Sequence, residues 1–347
     1  MATLLDERKR KILRAIIEDY IADAEPVGSR TIAKKHNLGI SSATIRNEMA
    51  DLEMLGYLEQ PHASSGRIPS AKGYRFYVDS LMQPQKLSRE DIEIINLWYQ
   101  SKVRQVEEIF HETTKLLSQI TSNISLLSVP QAAQHIFKYL QFLPLDEKRA
   151  IVVIVTDAGL IENKILKIPN DLNLRDLERI AAAINNRLSG LTFEAIQSSA
   201  LKDEIKKNLL ADPELFEAAL NLLKQTLAAE RKPKLYLGGT TQVLNQPEFR
   251  DVDKVKGLLK MLEEERLLYD MLHIDKSDGV VVTIGQESSF TGIHDCSVVK
   301  ATYCLEGKVV GAVAVLGPTR MEYGKVMTVL EFIQRHLGEI LSSHKLR

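Results

Sequence analysis

Residues 41–55, SSATIRNEMADLEML, set an arginine beside an asparagine on a short amphipathic stretch. At about 100° per residue in a helix, Ile45, Met49 and Leu52 share one face, with Leu55 near it. Ala43, Asn47, Ala50 and Met54 point the other way, and Arg46 sits on the flank. The outward N-terminal half is therefore small and polar. An arginine fork bridges O6 and N7 of guanine, an asparagine amide bridges N6 and N7 of adenine, and an alanine methyl meets the thymine methyl. Small residues permit close approach, and the free N–H groups of a helix start suit a phosphate. The candidate contact set is Ser41, Ser42, Ala43, Thr44, Arg46 and Asn47, flanked by Arg30, Arg67 and Lys72.

Such residues need elements to present them. Behind the stretch, Gly56 stops the helix, and YLEQ and RIP read as two short strands around PHASSG. That turn is expected to be flexible. Its one charge, Arg67, can follow a phosphate backbone or enter a narrow minor groove. Ahead of it, residues 4–22 carry Leu4, Leu5, Ile12, Leu13, Ile16, Ile17, Tyr20 and Ile21 at helical spacing. ADAEPVG breaks that helix, Ser29 is placed to cap a second one, and HNLGI turns on Asn37 or Gly39. Three helices and a two-stranded hairpin make the winged-helix plan. Fold alone does not choose between DNA and protein partners.

Charge is informative only locally. The chain of 347 residues has a net charge of −1, so attraction to a polyanion must come from clustering. Between residues 28 and 75, seven bases (Arg30, Lys34, Lys35, Arg46, Arg67, Lys72, Arg75) stand against four acids (Glu48, Asp51, Glu53, Glu59), a sign reversal in the right place.

Farther along, residues 71–82 predict a short helix, 83–90 a linker and 91–127 more helix. From residue 134 β-branched runs predict strands, with a hairpin at Asp157-Ala158-Gly159. Residues 171–232 are helical in period. Strands return from LYLG at 235, and a helix over about 320–342 closes the chain, with Thr319 and Glu322 at capping-box spacing. Strands on both sides of a helical block predict an α+β multidomain chain with an insertion. The expected divisions are 1–82, an N-terminal winged helix-turn-helix; 83–170 with 235–347, an α/β domain that includes a linker and helix over 83–130; and 171–234, the insertion.

Several chemistries fit poorly. The eight histidines form no H-x-x-x-H, and His294, Cys296 and Cys304 match no common zinc spacing. Tyr236-Leu237-Gly238-Gly239 lacks the lysine and spacing of a phosphate loop. Gly317-Pro318-Thr319-Arg320 reads more simply as a strand exit than as an anion site. No enzyme, cofactor or metal is expected. Two cysteines make no disulfide framework, so a reducing cytoplasm is expected. Charges interrupt every apolar run near the N-terminus, and no secretory signal or membrane span is expected.

VGSRTIAKKHNLGISSATIRNEMADLEMLGYLEQPHASSGRIPSAKGYRFYVD resembles the N-terminal domain of the HrcA family of heat-inducible transcription repressors. ATIRNEM, GYLEQPHxSSGRIP and GYRxYVD carry the resemblance, and DCSVV (295–299) and GPTRMEY (317–323) are similar to the family's C-terminal motifs. The resemblance implies a homodimeric repressor of heat-shock chaperone operons that binds an inverted-repeat operator. It implies a winged helix, a GAF-like α/β domain and a dimerisation domain inserted into it. It also implies the GroE chaperonin as a partner that keeps the repressor competent until heat-damaged proteins draw it away. The recognition helix maps onto Ser41–Leu55 and the wing onto Pro61–Pro69, with no catalytic residues. Two other readings stay open: a GAF-type regulator sensing a small molecule near residues 280–316, and a winged-helix interaction scaffold that never touches DNA.

Overall fold

Asp6 opens the chain's first helix by accepting from Lys9 N at 2.8 Å, and α1 (Glu7–Asp23) buries Ile12, Leu13, Ile16 and Ile17. This is a computed structural model, which describes residues 5–83, 85–100, 106–129, 136–146, 148–156, 161–168, 174–192, 195–196, 234–272, 279–290, 294–305 and 308–344. α2 (Ser29–Lys35) starts one residue earlier than expected. Gly28 is its N-cap, and Ser29 lies inside the helix rather than capping it. Asn37 and Gly39 both take positive φ in the turn that follows. Next come α3 (Ser42–Met54), β1 (Leu58–Glu59), β2 (Ile68–Pro69) and α4 (Ala71–Phe76), which runs into a π-helical turn over Tyr77–Leu81. Leu58 pairs with Pro69 and Glu59 with Ile68, antiparallel. The winged helix is thus present.

The body is a mixed α/β structure. α5 (Arg89–Gln100) and α6 (Val106–Thr121) lead into β3 (Ile124–Ser128). Helix is expected to about residue 127, and residues 124–128 form a strand instead. Their serines repeat three residues apart, as on a helix face, but both are buried in the sheet. Ser125 Oγ donates to Thr114 O at 2.6 Å, and Ala312 N donates to Ser128 Oγ at 2.9 Å.

β4 (Phe137–Asp146), β5 (Arg149–Thr156) and β6 (Ile161–Lys167) form a separate antiparallel sheet in that order. α7 (Leu174–Leu188) covers one face, its Leu177, Ile180 and Ile184 buried with Leu140, Phe142, Val152 and Ile154 of the sheet. Sequence spacing grouped 137–167 with the strands past 235. Hydrogen bonding pairs them with one another instead. The expected hairpin at 157–159 lies outside the described residues, as does nearly all of 193–233.

The chain then adds β7 (Leu235–Gly238), α8 (Val252–Glu263), α9 (Glu265–Leu272), β8 (Val280–Ile284), β9 (Cys296–Leu305), β10 (Lys308–Pro318) and α10 (Tyr323–His344). A five-stranded antiparallel sheet runs β7-β3-β10-β9-β8. Alternation along β10 explains its two helical layers. Val313 and Val315 face the core shared with α6 and α10, and Ala312, Ala314 and Leu316 face α8 and α9. α10 begins at Tyr323, later than the capping-box spacing implied, because Thr319 N is bonded to Asp295 O and the Tyr323 hydroxyl donates to Thr319 O at 2.6 Å.

Cys296 and Cys304 stand near opposite ends of one extended strand, roughly 26 Å apart at the usual rise, so they cannot share a metal ion. Burial pushes the Cys296 thiol up to about 12. The core of the winged helix is continuous with that of the body, running from Ile12 and Ile45 through Tyr74 to Val299, Val315 and Leu330.

Candidate nucleic-acid interface

The geometry of α3 begins with its cap. Ser41 Oγ accepts from Thr44 N at 3.1 Å and lies 2.9 Å from Thr44 Oγ1, so both hydroxyls are occupied with the helix start. The N–H groups of Ser42 and Ala43 are left without intrahelical acceptors. At the other end Gly56, at φ +77°, turns the chain. Lys72 Nζ donates to Leu55 O at 2.8 Å and stands 4.5 Å from the Tyr57 ring centroid, closing the carbonyl end of the helix.

Ile45, Met49 and Leu52 are buried, and Ala43, Arg46, Asn47 and Met54 are exposed. The helical period therefore placed the inner face and most of the outer one, with Ala50 half-buried rather than exposed. Arg46, Asn47 and Arg30 are exposed and make no side-chain hydrogen bond or ion pair among the described residues. The acids of α3, by contrast, are all taken. Lys9 Nζ sits 2.7 Å from Glu48 and 3.1 Å from Asp51, with Arg8 3.5 Å from Glu48. Hydrogen bonds that Lys9 Nζ donates to Glu48 and then Asp51 hold its ammonium well above the usual lysine range. Glu53 accepts from Arg67 Nε at 2.8 Å. The open face consequently presents Arg46 with no competing free carboxylate on its own helix.

The wing is more ordered than its composition suggests. Gln60 Nε2 donates to both Ala63 O and Ser65 O at 3.1 Å, and Ser65 Oγ donates to His62 O at 2.7 Å. Val27 and Arg67 exchange two backbone hydrogen bonds of 2.9 Å, adding a third bridge to the hairpin just before α2. A Cβ on Gly66 would lie 2.4 Å from Val27 O, so this close approach requires glycine. Arg67, paired with Glu53 and 18% exposed at its side chain, is a strut at the wing's root, while Pro61, His62, Ala63 and Ser64 form the exposed tip.

The structure thus brings Ser41, Ser42, Ala43, Thr44, Arg46 and Asn47 together at one helix start. It sets Arg30 on the neighbouring helix and commits Arg67 and Lys72 to internal partners. Sequence spacing missed Lys9, Gln60 and Val27. The charge of Lys9 in the first turn of α1 was visible, but the fold alone shows which helix it meets.

Residues 4–80 match the family model described as winged helix-turn-helix transcription repressor, HrcA DNA-binding, and residues 107–327 match that of the HrcA protein C-terminal domain. The chain belongs to the HrcA family. The heat-inducible transcription repressor HrcA of Pelotomaculum thermopropionicum is 47% identical over 338 residues, 97% of each chain. That of Symbiobacterium thermophilum is 44% identical, covering 97% of this chain and 99% of its own. A solved structure described as a hypothetical protein at 2.2 Å resolution aligns over 98% of both chains, with a TM-score of 0.63 and 26% identity. The HrcA resemblance therefore extends from the winged helix through the mixed α/β body.

Proposed function

We propose that the chain is a heat-inducible transcription repressor that binds an inverted-repeat operator of chaperone genes as a homodimer in the cytoplasm. The observation that carries the DNA reading is the exposed Arg46–Asn47 pair at a capped helix start whose neighbouring acids are all paired. In this reading Ala43, Arg46 and Asn47 meet base edges. Ser41 and Thr44 hold the helix end whose N–H groups, at Ser42 and Ala43, meet a phosphate. Arg30, Arg67 and Lys72 lie along the backbone on either side, Arg67 exchanging Glu53 for a phosphate.

The open face of the three-stranded sheet supports a dimer. Leu143, Ile151 and Ile165 form one cross-strand row, and Leu143, Leu145 and Ile165 are 41%, 45% and 56% exposed. Contiguous apolar surface of this kind suits a partner. The body then corresponds to the GAF-like domain. The inserted dimerisation domain is read at 171–234, and the pairing of β3 with β7 next to a separate β4–β6 sheet supports extending it toward residue 130. The family resemblance supports the GroE chaperonin as the partner that maintains activity. A native state only a few kcal/mol from unfolding is what such a switch requires.

A footprint on a chaperone-gene upstream region, with sedimentation of the protein–DNA complex, tests the reading. Two symmetric protected half-sites and two protein copies are expected, with stronger binding on adding chaperonin. A single asymmetric patch, or no response to chaperonin, would count against it. A small-molecule regulator has one observation in its favour, a cavity of about 260 Å³ beside Asp270, Thr283, Glu287, Ser288 and Lys300. A ligand that melts in with the protein and shifts operator affinity would favour that reading.

A further inference from the structure

Two arginines join the winged helix to the body, one reaching in each direction. Arg75 of α4 reaches out. Its Nε donates to Glu287 Oε1 at 2.7 Å, and its Nη2 donates to Val282 O at 2.7 Å and also to Glu287 Oε2. Arg320, between β10 and α10, reaches back. Its Nη1 donates to Ile21 O near the end of α1, while its Nε donates to Glu248 Oε1 at 2.6 Å and its Nη2 to Gln246 Oε1 at 3.1 Å. Between these clamps, the rings of Tyr74 and Tyr323 lie tilted with centroids 6.0 Å apart. The Tyr74 hydroxyl is buried there without a hydrogen-bond partner among the described residues.

The apolar part of this junction is large, but apolar burial is non-directional and tolerates a range of angles. Planar guanidinium forks do not tolerate it. One clamp alone would leave a pivot. Two clamps, on α1 and α4, remove the rotation about either. The junction keeps its register even though it strands the Tyr74 hydroxyl. The reading face lies elsewhere: Ala43, Arg46 and Asn47 are exposed, and neither clamp touches α3. What the clamps fix is therefore the orientation of the reading head relative to the body, not its chemistry.

We propose that Arg75 and Arg320 are positioning residues that set the spacing between operator half-sites. The inference rests on the dimeric, inverted-repeat reading above. In a two-fold dimer, the angle between each head and its body fixes the distance between recognition helices, and hence the spacer the protein accepts.

The test uses the full chain. Wild-type protein first selects its repeat from random duplexes. Fluorescence anisotropy then follows wild type, Arg75→Gln, Arg320→Gln and the double variant. The duplexes share identical half-sites, with the spacer lengthened or shortened in single base-pair steps, and one further duplex carries a single half-site. Arg75→Lys and Arg320→Lys keep the charge without the fork and carry the test if a glutamine variant does not fold. Wild type should lose affinity by about tenfold or more off the preferred spacer, the size of a lost base contact. The variants should flatten that profile to within about threefold while binding the single half-site as wild type does. Variants that keep the wild-type spacing profile, with a uniform loss on every duplex, would overturn the proposal and leave the clamps as stabilisers only. A wild-type protein that selects no repeat would instead remove the dimeric reading, and the proposal with it.

Discussion

Arg46 and Arg75 belong to the same winged helix and have opposite surroundings. Arg46 is exposed on α3 with no partner among the described residues, while Arg75 holds a carboxylate, a carbonyl and a second carboxylate at once. The difference lies in what the chain supplies. Toward the body it provides an acceptor for every guanidinium donor direction that matters. On the outward face it pairs away the acids and leaves the arginine open. The proposed function reads this contrast as the sign of a surface that meets DNA.

The comparison can be broken most severely at the inner face of α3. Ile45 is fully buried, so Ile45→Ala should cost about 2–5 kcal/mol in urea unfolding, lowering DNA binding only through lost fold. Arg46→Ala, one residue away, should do the reverse. Unfolding should move by less than about 0.5 kcal/mol. Operator affinity should fall by about 1–3 kcal/mol with specificity relaxed at one base position, and equal weakening on random DNA would remove its base-reading role.

Ser41→Ala removes the cap that holds the helix start, and about 1 kcal/mol of stability should go with it, read in the same urea titration. The smallest effect is a pH dependence at the junction. Burial raises the Glu287 carboxyl, but hydrogen bonds from Arg75 and from Ile284 N–H outweigh it and hold it below the ordinary 4.5. A depressed carboxylate contributes stability above its unfolded pKa and loses it as pH falls through the folded one. Between pH 7 and 5 the wild-type melting temperature should therefore not respond to this group. Below about 4.5 it should fall more steeply than that of Glu287→Gln, a difference worth under about 1 kcal/mol of stability because the pair is partly exposed.

The reading head was legible in the sequence because its determinants are local. The period of Ile45, Met49 and Leu52, the Ser41 cap and the Gly56 stop act within a few residues of one another. The junction was not legible. Arg75 and Glu287 are 212 residues apart, and Arg320 meets Ile21 across 299. Nothing in the spacing of GPTRMEY distinguishes a clamp from an anion site until α1 is packed against it. β3 was missed for a related reason, since the hydrogen bonds of Ser125 with Thr114 O and of Ser128 with Ala312 N that bury it in the sheet do not show in sequence spacing. The division into two sheets was hidden because the strands of both carry β-branched residues, and only pairing separates them.

The most direct test is fluorescence anisotropy of the wild-type protein on two labelled duplexes, one with the chaperone-gene inverted repeat and one scrambled, at low and physiological salt and with chaperonin present. Preference for the repeat by about a thousandfold or more, kept as salt rises, is the expected result for a protein that reads bases with the open face of α3. Equal binding to both duplexes that vanishes with salt, chaperonin notwithstanding, would contradict it.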